Sequence, residues 1–288
     1  MCIIGILAHT RQYRYKHRRT IVNTLPATLE EFNGSDLAVL AGTKSTGPSL
    51  SLPTVGINYK GVDRDGNPIP KGHWRLYNGS DTVYGTKLDY KLLMAAYQVR
   101  EYDEVGGEFT ETIFFQNGQD KHPEDSAGGY RCGKVMRKEL DNLSKAERKM
   151  QSDKKFQRVT WGIASLKGVN ALGEDIEAKN TPCMLRSGGK GFVPMCDYIE
   201  SFKDGQTWNV VTNFDVEINE HGITHWVVTP KRGKKSPITP DEYETFKGLM
   251  EWQANFNKDI LEKWRKKNGM TSSSNDDVVL DMSDDIPL

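Results

Sequence analysis

Aromatic side chains alternate with Lys and Arg in several segments whose pattern predicts β-strands. A single nucleic-acid strand offers base faces for stacking and phosphates for charge, so a sheet of rings and cations can hold it without reading its sequence. Each stacked base contributes about 1–3 kcal/mol, so two or three exposed rings matter. We predict that the strand-binding residues are Trp74, Arg75, Tyr97, Arg100, Tyr102, Arg158, Trp161, Arg186, Lys190 and Phe192.

The same pattern has a structural interpretation, because strands bury aromatic side chains in protein cores. The chain has 6 Trp, 11 Tyr and 10 Phe, and most of these rings must serve the core.

Other chemistries have weaker support. The stretch from Arg186 to Gly191 fails the Walker pattern, since Lys190 is followed by Gly and not by Ser or Thr. Glu177-Ala178-Lys179 has the Glu-x-Lys form found in Mg²⁺ nucleases, but without an evident paired Asp on a strand. A metal site would need scattered residues to converge: His122, Cys132, Cys183 and Cys196. We expect no enzymatic activity, no cofactor and no metal.

Charge is divided unequally along the chain. The 288 residues have no net charge, yet the 21 residues after Lys267 contain five Asp and no Lys or Arg. The tail therefore carries −5 and residues 1–267 carry +5. Such a division is typical of an interaction tail, often on a nucleic-acid-binding protein, although a plain solubilising terminus gives the same pattern.

The elements that must position the predicted residues are mainly strands. Alternation begins at Thr54 and returns in short segments up to Thr229, including hairpins across Gly106-Gly107 and across 219–222. A helix is predicted over 138–155, a loop over 168–180 and a short helix over 192–202. The clearest helix starts at Thr239-Pro240-Asp241-Glu242, an N-cap with proline and a capping-box Glu, and ends at Gly269.

These elements predict a mainly β fold with some helices, a small antiparallel barrel or sandwich with flanking helices, followed by a disordered acidic tail. We divide the chain into a basic arm and linker (1–53), a β domain (54–267, including a helix at 240–267), and an acidic tail (268–288). No apolar run reaches 18 residues, and no C-x-x-C pair is present. We therefore expect a soluble protein of a reducing, cytoplasmic compartment that contacts no membrane.

The end of the chain is its sharpest motif. A Ser/Asn spacer at 271–275 precedes an acidic tether that closes on Ile-Pro-Leu, and an apolar tip of this kind can enter a small basic pocket on a partner. The motif resembles the tail of bacterial-type single-stranded-DNA-binding proteins, which end in acidic residues and Ile-Pro-Phe. Leu288 stands in place of the Phe, and Ser283 stands where a third acid is common. The resemblance covers about eight residues.

The resemblance implies an oligonucleotide-binding-fold-like (OB-like) antiparallel β-barrel with flanking helices and a disordered acidic C-terminal tail, in which residues 54–267 form the OB-like nucleic-acid-binding domain. Such a protein protects single-stranded DNA in replication, recombination and repair, here as a phage-encoded relative that works in the host cytoplasm. It also implies recruitment of a polymerase, helicase, primase or nuclease through the tip. The residues that would bind such a partner are Asp281, Asp284, Asp285, Ile286, Pro287 and Leu288. Two alternatives remain: an enzyme of DNA metabolism that docks through the same tail, and an adaptor that binds no nucleic acid.

Overall fold

The structure, a computed structural model, describes residues 52–62, 66–77, 81–103, 106–219 and 225–270, with the backbone alone at 218, 219 and 225. The predicted arm (1–53) lies almost wholly outside these ranges. The acidic tail beyond residue 270, with its six predicted partner-binding residues, also lies outside the described residues. Those expectations stay predictions.

Strands dominate the described chain. They are β1 (Thr54–Ile57), β2 (Trp74–Tyr77), β3 (Thr82–Gly85), β4 (Leu88–Asp103), β5 (Glu108–Glu111), β6 (Lys155–Val169), β7 (Asp175–Gly188), β8 (Val210–Asn219) and β9 (His225–Lys235). The α-helices are α1 (Lys145–Asp153), α2 (Phe192–Glu200) and α3 (Pro240–Lys267). Short 3-10 turns occupy Arg131–Gly133, Arg137–Asn142, Gly189–Gly191 and Thr207–Asn209.

Five strands close into a barrel, in the order β1-β2-β3-β6-β7 and back to β1. The barrel prediction is confirmed at this level, with one correction. β1 and β7 run parallel, with Thr54 opposite Met184 and Val55 opposite Leu185, so the barrel is not antiparallel throughout. A parallel pair joins segments that are distant in sequence, and no local hairpin signal announces it.

Two glycines allow the barrel to close between β3 and β6. A Cβ atom on Gly168 would lie 1.8 Å from the carbonyl oxygen of Tyr84, and one on Gly85 would lie 2.3 Å from that of Lys167. Any side chain at either position would push the two strands apart. Closure at this crossing therefore depends on Gly at both places.

The barrel interior is filled by large apolar side chains. Trp74 and Leu76 on β2 are both 1 % exposed, and they pack in one cluster with Val55 and Leu185. Helix α2 contributes its inner face to this cluster through residues that include Met195 and Tyr198. The hydroxyl groups of Tyr198 and Thr212 hydrogen-bond at 2.8 Å, which satisfies both polar groups inside the core.

A second core lies on the other face of β6, under α3. Trp161 of β6 is 0 % exposed and packs edge-on against Phe114, whose ring also meets Phe256 of α3. The predicted start of α3 is confirmed, since Thr239 and Glu242 form a reciprocal capping box. Glu242 also accepts a hydrogen bond from the buried Lys91 ammonium at 2.7 Å, which ties the helix start to β4.

Two other predictions need correction. The helix expected over 138–155 is a 3-10 turn followed by α1, because Ser144 caps a new helix with Glu147 instead of lying inside a longer one. The loop expected over 168–180 is mostly strand, since β6 continues to Val169 and β7 starts at Asp175. Among the helices of the described ranges, none has the length and apolar character needed to cross a lipid bilayer.

Candidate nucleic-acid interface

Three aromatic rings pack together where β4 and β6 run beyond the barrel, and we call them the aromatic cluster: Tyr97, Phe156 and Phe192. Tyr97 and Phe156 stack with centroids 5.6 Å apart and planes 6° apart. Phe192, the first residue of α2, lies 5.1 Å from Phe156 and 6.2 Å from Tyr97. All three rings are half-buried, so each keeps part of its surface open to a ligand.

Strand pairing explains this assembly. Tyr97 on β4 lies directly opposite Arg158 on β6, and Phe156 lies two residues before Arg158 on the same face. Trp161, an odd number of residues away, points to the α3 side. The aromatic cluster and the α3 core therefore occupy opposite faces of the same strand.

Arg158 lies over the aromatic cluster. Its guanidinium carbon is 4.1 Å from the centroid of the Tyr97 ring, a cation–π geometry. The side chain is 9 % exposed, and its Nε and Nη1 donate no hydrogen bond to any residue in the described ranges. Leaving a buried donor unpaired costs about 1–3 kcal/mol, so the two donors are unfavourable as they stand.

Phe115 and Cys196 pack against Tyr97 of the aromatic cluster. Phe115 exchanges two backbone hydrogen bonds with Tyr97, at 2.7 and 3.0 Å, and its ring lies 6.0 Å from that of Tyr97. The Cys196 thiol on α2 lies beside the Tyr97 hydroxyl. Burial raises the pKa of Tyr97, and the nearby positive charge of Arg158 opposes this increase.

Positive charge is concentrated next to the aromatic cluster in residues 131–155, which we call the basic segment. It has nine Lys and Arg residues against four Asp and Glu residues. Burial lowers the pKa of Lys134, and the charges of Lys155, Arg131 and Lys154 lower it further, so these four cations lie close together. The Arg131 guanidinium lies 5.5 Å from the Phe156 ring. The basic segment therefore places positively charged side chains beside the aromatic cluster.

The structure places two predicted ring residues away from any surface. Trp74 fills the barrel and Trp161 lies under α3, and both are enclosed on all sides. A ring covered on both faces cannot accept a base, so we remove Trp74 and Trp161 from the interface. A local pattern of Trp and Arg shows that aromatic and charged side chains alternate along a strand. It does not show which face of the strand points into the core.

Arg75 lies elsewhere on the barrel. It is exposed on β2, and its charge lowers the pKa of Tyr59, although burial raises that pKa by more. Tyr59 is 57 % exposed, and its ring lies 5.6 Å from that of Trp226. This second group of rings and a cation is separate from the aromatic cluster.

Three more predicted residues, two on β4 and one on β7, lie on the side of the sheet opposite the aromatic cluster. Arg100 pairs with Glu111 at 2.5 Å, and its guanidinium lies 3.5 Å from the exposed Phe109 ring. Tyr102 is exposed and contacts the same ring. Arg186 donates to the side chain of Gln98, and burial together with the charge of Arg100 lowers its pKa to about 9. These cations already have protein partners.

Of the ten predicted residues, the structure therefore gathers Tyr97, Arg158 and Phe192 in one place. Lys190 is exposed in the 3-10 turn that leads directly into Phe192. Sequence reasoning missed Phe156, although its spacing of two from Arg158 on a predicted strand was a usable signal. It also missed Arg131, which reaches Phe156 only through tertiary packing.

No group of three or more His, Cys, Asp or Glu side chains within the described ranges is arranged to hold a metal ion. Glu177 and Lys179 form an exposed ion pair of 3.4 Å on β7.

Comparison of the chain with protein-family models, with curated proteins and with solved structures gives no match.

Proposed function

We propose that this protein binds single-stranded DNA without sequence preference, on an OB-like barrel, and supports phage DNA replication, recombination and repair. The observation that carries the proposal is the aromatic cluster with Arg158 over it, beside the basic segment. Rings with accessible faces next to cations are what a sequence-tolerant single-strand site needs.

The mechanism has two parts. Bases stack on the open portions of Tyr97 and Phe192, with Phe156 holding both rings in position. Phosphates are neutralised by Arg158, by Lys190 and by exposed cations of the basic segment such as Lys155. Counterions released from the strand make this binding weaken as salt rises.

This arrangement favours an unpaired strand over duplex. Bases in a duplex are stacked on one another and present only their edges, so their faces cannot reach the rings. The cations alone attract both forms. The preference for single strands should therefore depend on the aromatic cluster.

The acidic tail is the second functional element of the proposal. Asn268, just after α3, donates from its side chain to the carbonyl oxygens of Gly128 and Trp264 at 2.9 Å. Tyr130, next to Arg131, packs on Trp264 with centroids 5.8 Å apart. The tail thus leaves α3 close to the start of the basic segment. We propose that it competes weakly with DNA for this surface and that residues 281–288 recruit replication and repair proteins.

The test replaces aromatic rings with leucine side chains, so that no large cavity is left in the site. Phe192→Leu and Tyr97→Leu keep most of the apolar volume and remove a stacking face, so each should weaken oligo-dT binding by about 5-fold or more. Tyr243→Leu is the matched control, since Tyr243 is an exposed ring on α3 with Lys247 4.7 Å from its centroid. Equal affinity of all three variants and the parent chain, measured by fluorescence anisotropy, would contradict the proposal.

A further inference from the structure

Arg158 differs from the other buried cations in the described ranges. Lys91 pairs with Glu242, and Arg131 donates to the carbonyl oxygens of Asp120 and Lys134. Arg158 is nine-tenths buried, forms no ion pair with a described carboxylate, and leaves two N–H donors unused. A buried charge without a counter-charge is costly unless a ligand supplies one.

The surroundings of Arg158 suit one kind of ligand. Arg158 faces Ser187 across the β6–β7 ladder, and the chain then continues through Gly188 and the 3-10 turn Gly189–Gly191 into α2. Gly191 is the N-cap of α2 and provides no side-chain cap. A helix N-terminus favours negative charge, and glycines let a ligand approach the backbone closely.

Two carboxylates lie nearby, since Glu200 raises the pKa of both Tyr97 and Cys196 and Asp197 raises that of Cys196, but neither forms an ion pair with the Arg158 guanidinium. Tyr97 lies under it, and the Cys196 thiol, whose pKa burial raises, is neutral at physiological pH. Lys190 adds an exposed positive charge in the turn. A planar guanidinium with parallel N–H groups binds phosphate oxygens in pairs, which Lys cannot do.

We propose that Arg158 and the turn before α2 form a binding site for one phosphate group. The inference rests on the proposed function in one respect, namely that the group is a phosphodiester of the strand whose bases stack on the aromatic cluster. A free phosphate shares this chemistry, and the experiment separates the two sources.

The experiment uses the full chain labelled with ¹⁵N in its Arg side chains. Titration with inorganic phosphate and, separately, with oligo-dT should each shift the Nε–H resonance of Arg158. The resonance of Arg232 should shift much less, because its guanidinium lies 3.8 Å from the Phe202 ring and already donates to Ser201. If neither ligand shifts the Arg158 resonance, the proposed phosphate site is wrong. The measurement uses the unmodified chain, so its outcome does not depend on whether a variant folds.

Variants then identify the source of the phosphate. Arg158→Lys keeps the charge and loses paired hydrogen bonding, so phosphate should no longer raise its melting temperature. Arg158→Gln should reduce the slope of log K against log salt for oligo-dT by about 0.7, one phosphate of a single strand. Arg232→Gln is the matched control and should keep both responses.

Failure of the site and failure of the proposed function give different results. In one outcome, oligo-dT binds tightly and its binding depends on the rings, while Arg158→Gln leaves the slope of log K against log salt unchanged. That result overturns the phosphate assignment and leaves single-strand binding intact. A phosphate shift at Arg158 in a chain that ignores oligo-dT overturns the strand as the source.

Discussion

Tyr97 and Arg158 face each other across the β4–β6 ladder, with the guanidinium carbon 4.1 Å from the ring centroid. This cross-strand pair joins the two chemistries that a single strand of nucleic acid requires, a ring face and a positive charge. Phe156 and Phe192 hold the ring in place, and the basic segment extends the charge. The function we propose depends on this pair more than on any other contact.

Cys196 gives a chemical probe of the same surface. Burial raises the pKa of its thiol, Arg158 lowers it, and Glu200 and Asp197 raise it, with a net increase above the ordinary value. The thiolate is the reactive form, so the alkylation rate of Cys196 should level off at a higher pH than that of an ordinary exposed thiol. Peptide mapping by mass spectrometry after iodoacetamide treatment measures this rate.

Bound DNA should protect the same thiol. Because Cys196 lies beside Tyr97, oligo-dT on the aromatic cluster should slow its alkylation several-fold. Cys183, which is fully buried, serves as the internal control and should react only when the chain unfolds. Alkylation of Cys196 at an unchanged rate under saturating oligo-dT would place the strand elsewhere, for example near Tyr59 and Arg75.

The start of α3 should control stability. Glu242→Gln leaves the Lys91 ammonium, 6 % exposed, without its carboxylate and should cost about 3 kcal/mol of unfolding free energy. Thr239→Ala removes one cap and should cost about 1 kcal/mol. Urea denaturation followed by circular dichroism measures both values.

A double variant checks the cause. Lys91→Met combined with Glu242→Gln removes both charges, so it should be more stable than Glu242→Gln alone. A double variant that is less stable than either single one would show that the ion pair is not the reason for the loss.

The acidic tail should compete with DNA. Deleting residues 276–288 removes all five aspartates of the tail, so oligo-dT should bind more tightly at low salt. The gain should shrink near physiological salt, where the Debye length is about 8 Å. The same deletion should abolish recruitment of replication and repair proteins.

A full-length chain with the five aspartates changed to Asn distinguishes the effect of the tail's negative charge from the effect of its apolar tip. It should reproduce the tighter DNA binding while keeping Ile286-Pro287-Leu288. Unchanged DNA affinity and unchanged partner binding in the deletion would remove the tail from the mechanism.

Local signals in the sequence predicted local structure well. The Thr239–Glu242 capping box and the β8–β9 hairpin are where the pattern places them. The loop predicted over 168–180 was wrong because its charged residues masked a strand. Ile176 and Ala178 alternate with Glu177 and Lys179, as expected of a strand in a β-hairpin with one solvent-exposed face.

Long-range relationships were beyond such signals. The parallel β1–β7 pair joins residues about 130 positions apart, and barrel closure depends on Gly85 meeting Gly168. The alternation of rings and cations led us to predict Arg158 and Trp161 in one interface, although residues three apart on a strand lie on opposite faces. Only the packing of α3 shows that the Trp161 face is the buried one.

The most direct measurement of the central claim is a salt titration of binding to oligo-dT and to a duplex of equal length. We predict tighter binding to oligo-dT at every salt concentration, with log K falling linearly against log salt by about 0.7 for each phosphate contacted. We also predict no cleavage of either substrate in Mg²⁺, whereas turnover would favour the enzyme alternative. Equal affinity for the two forms in dilute buffer, or no binding to either, would contradict the account.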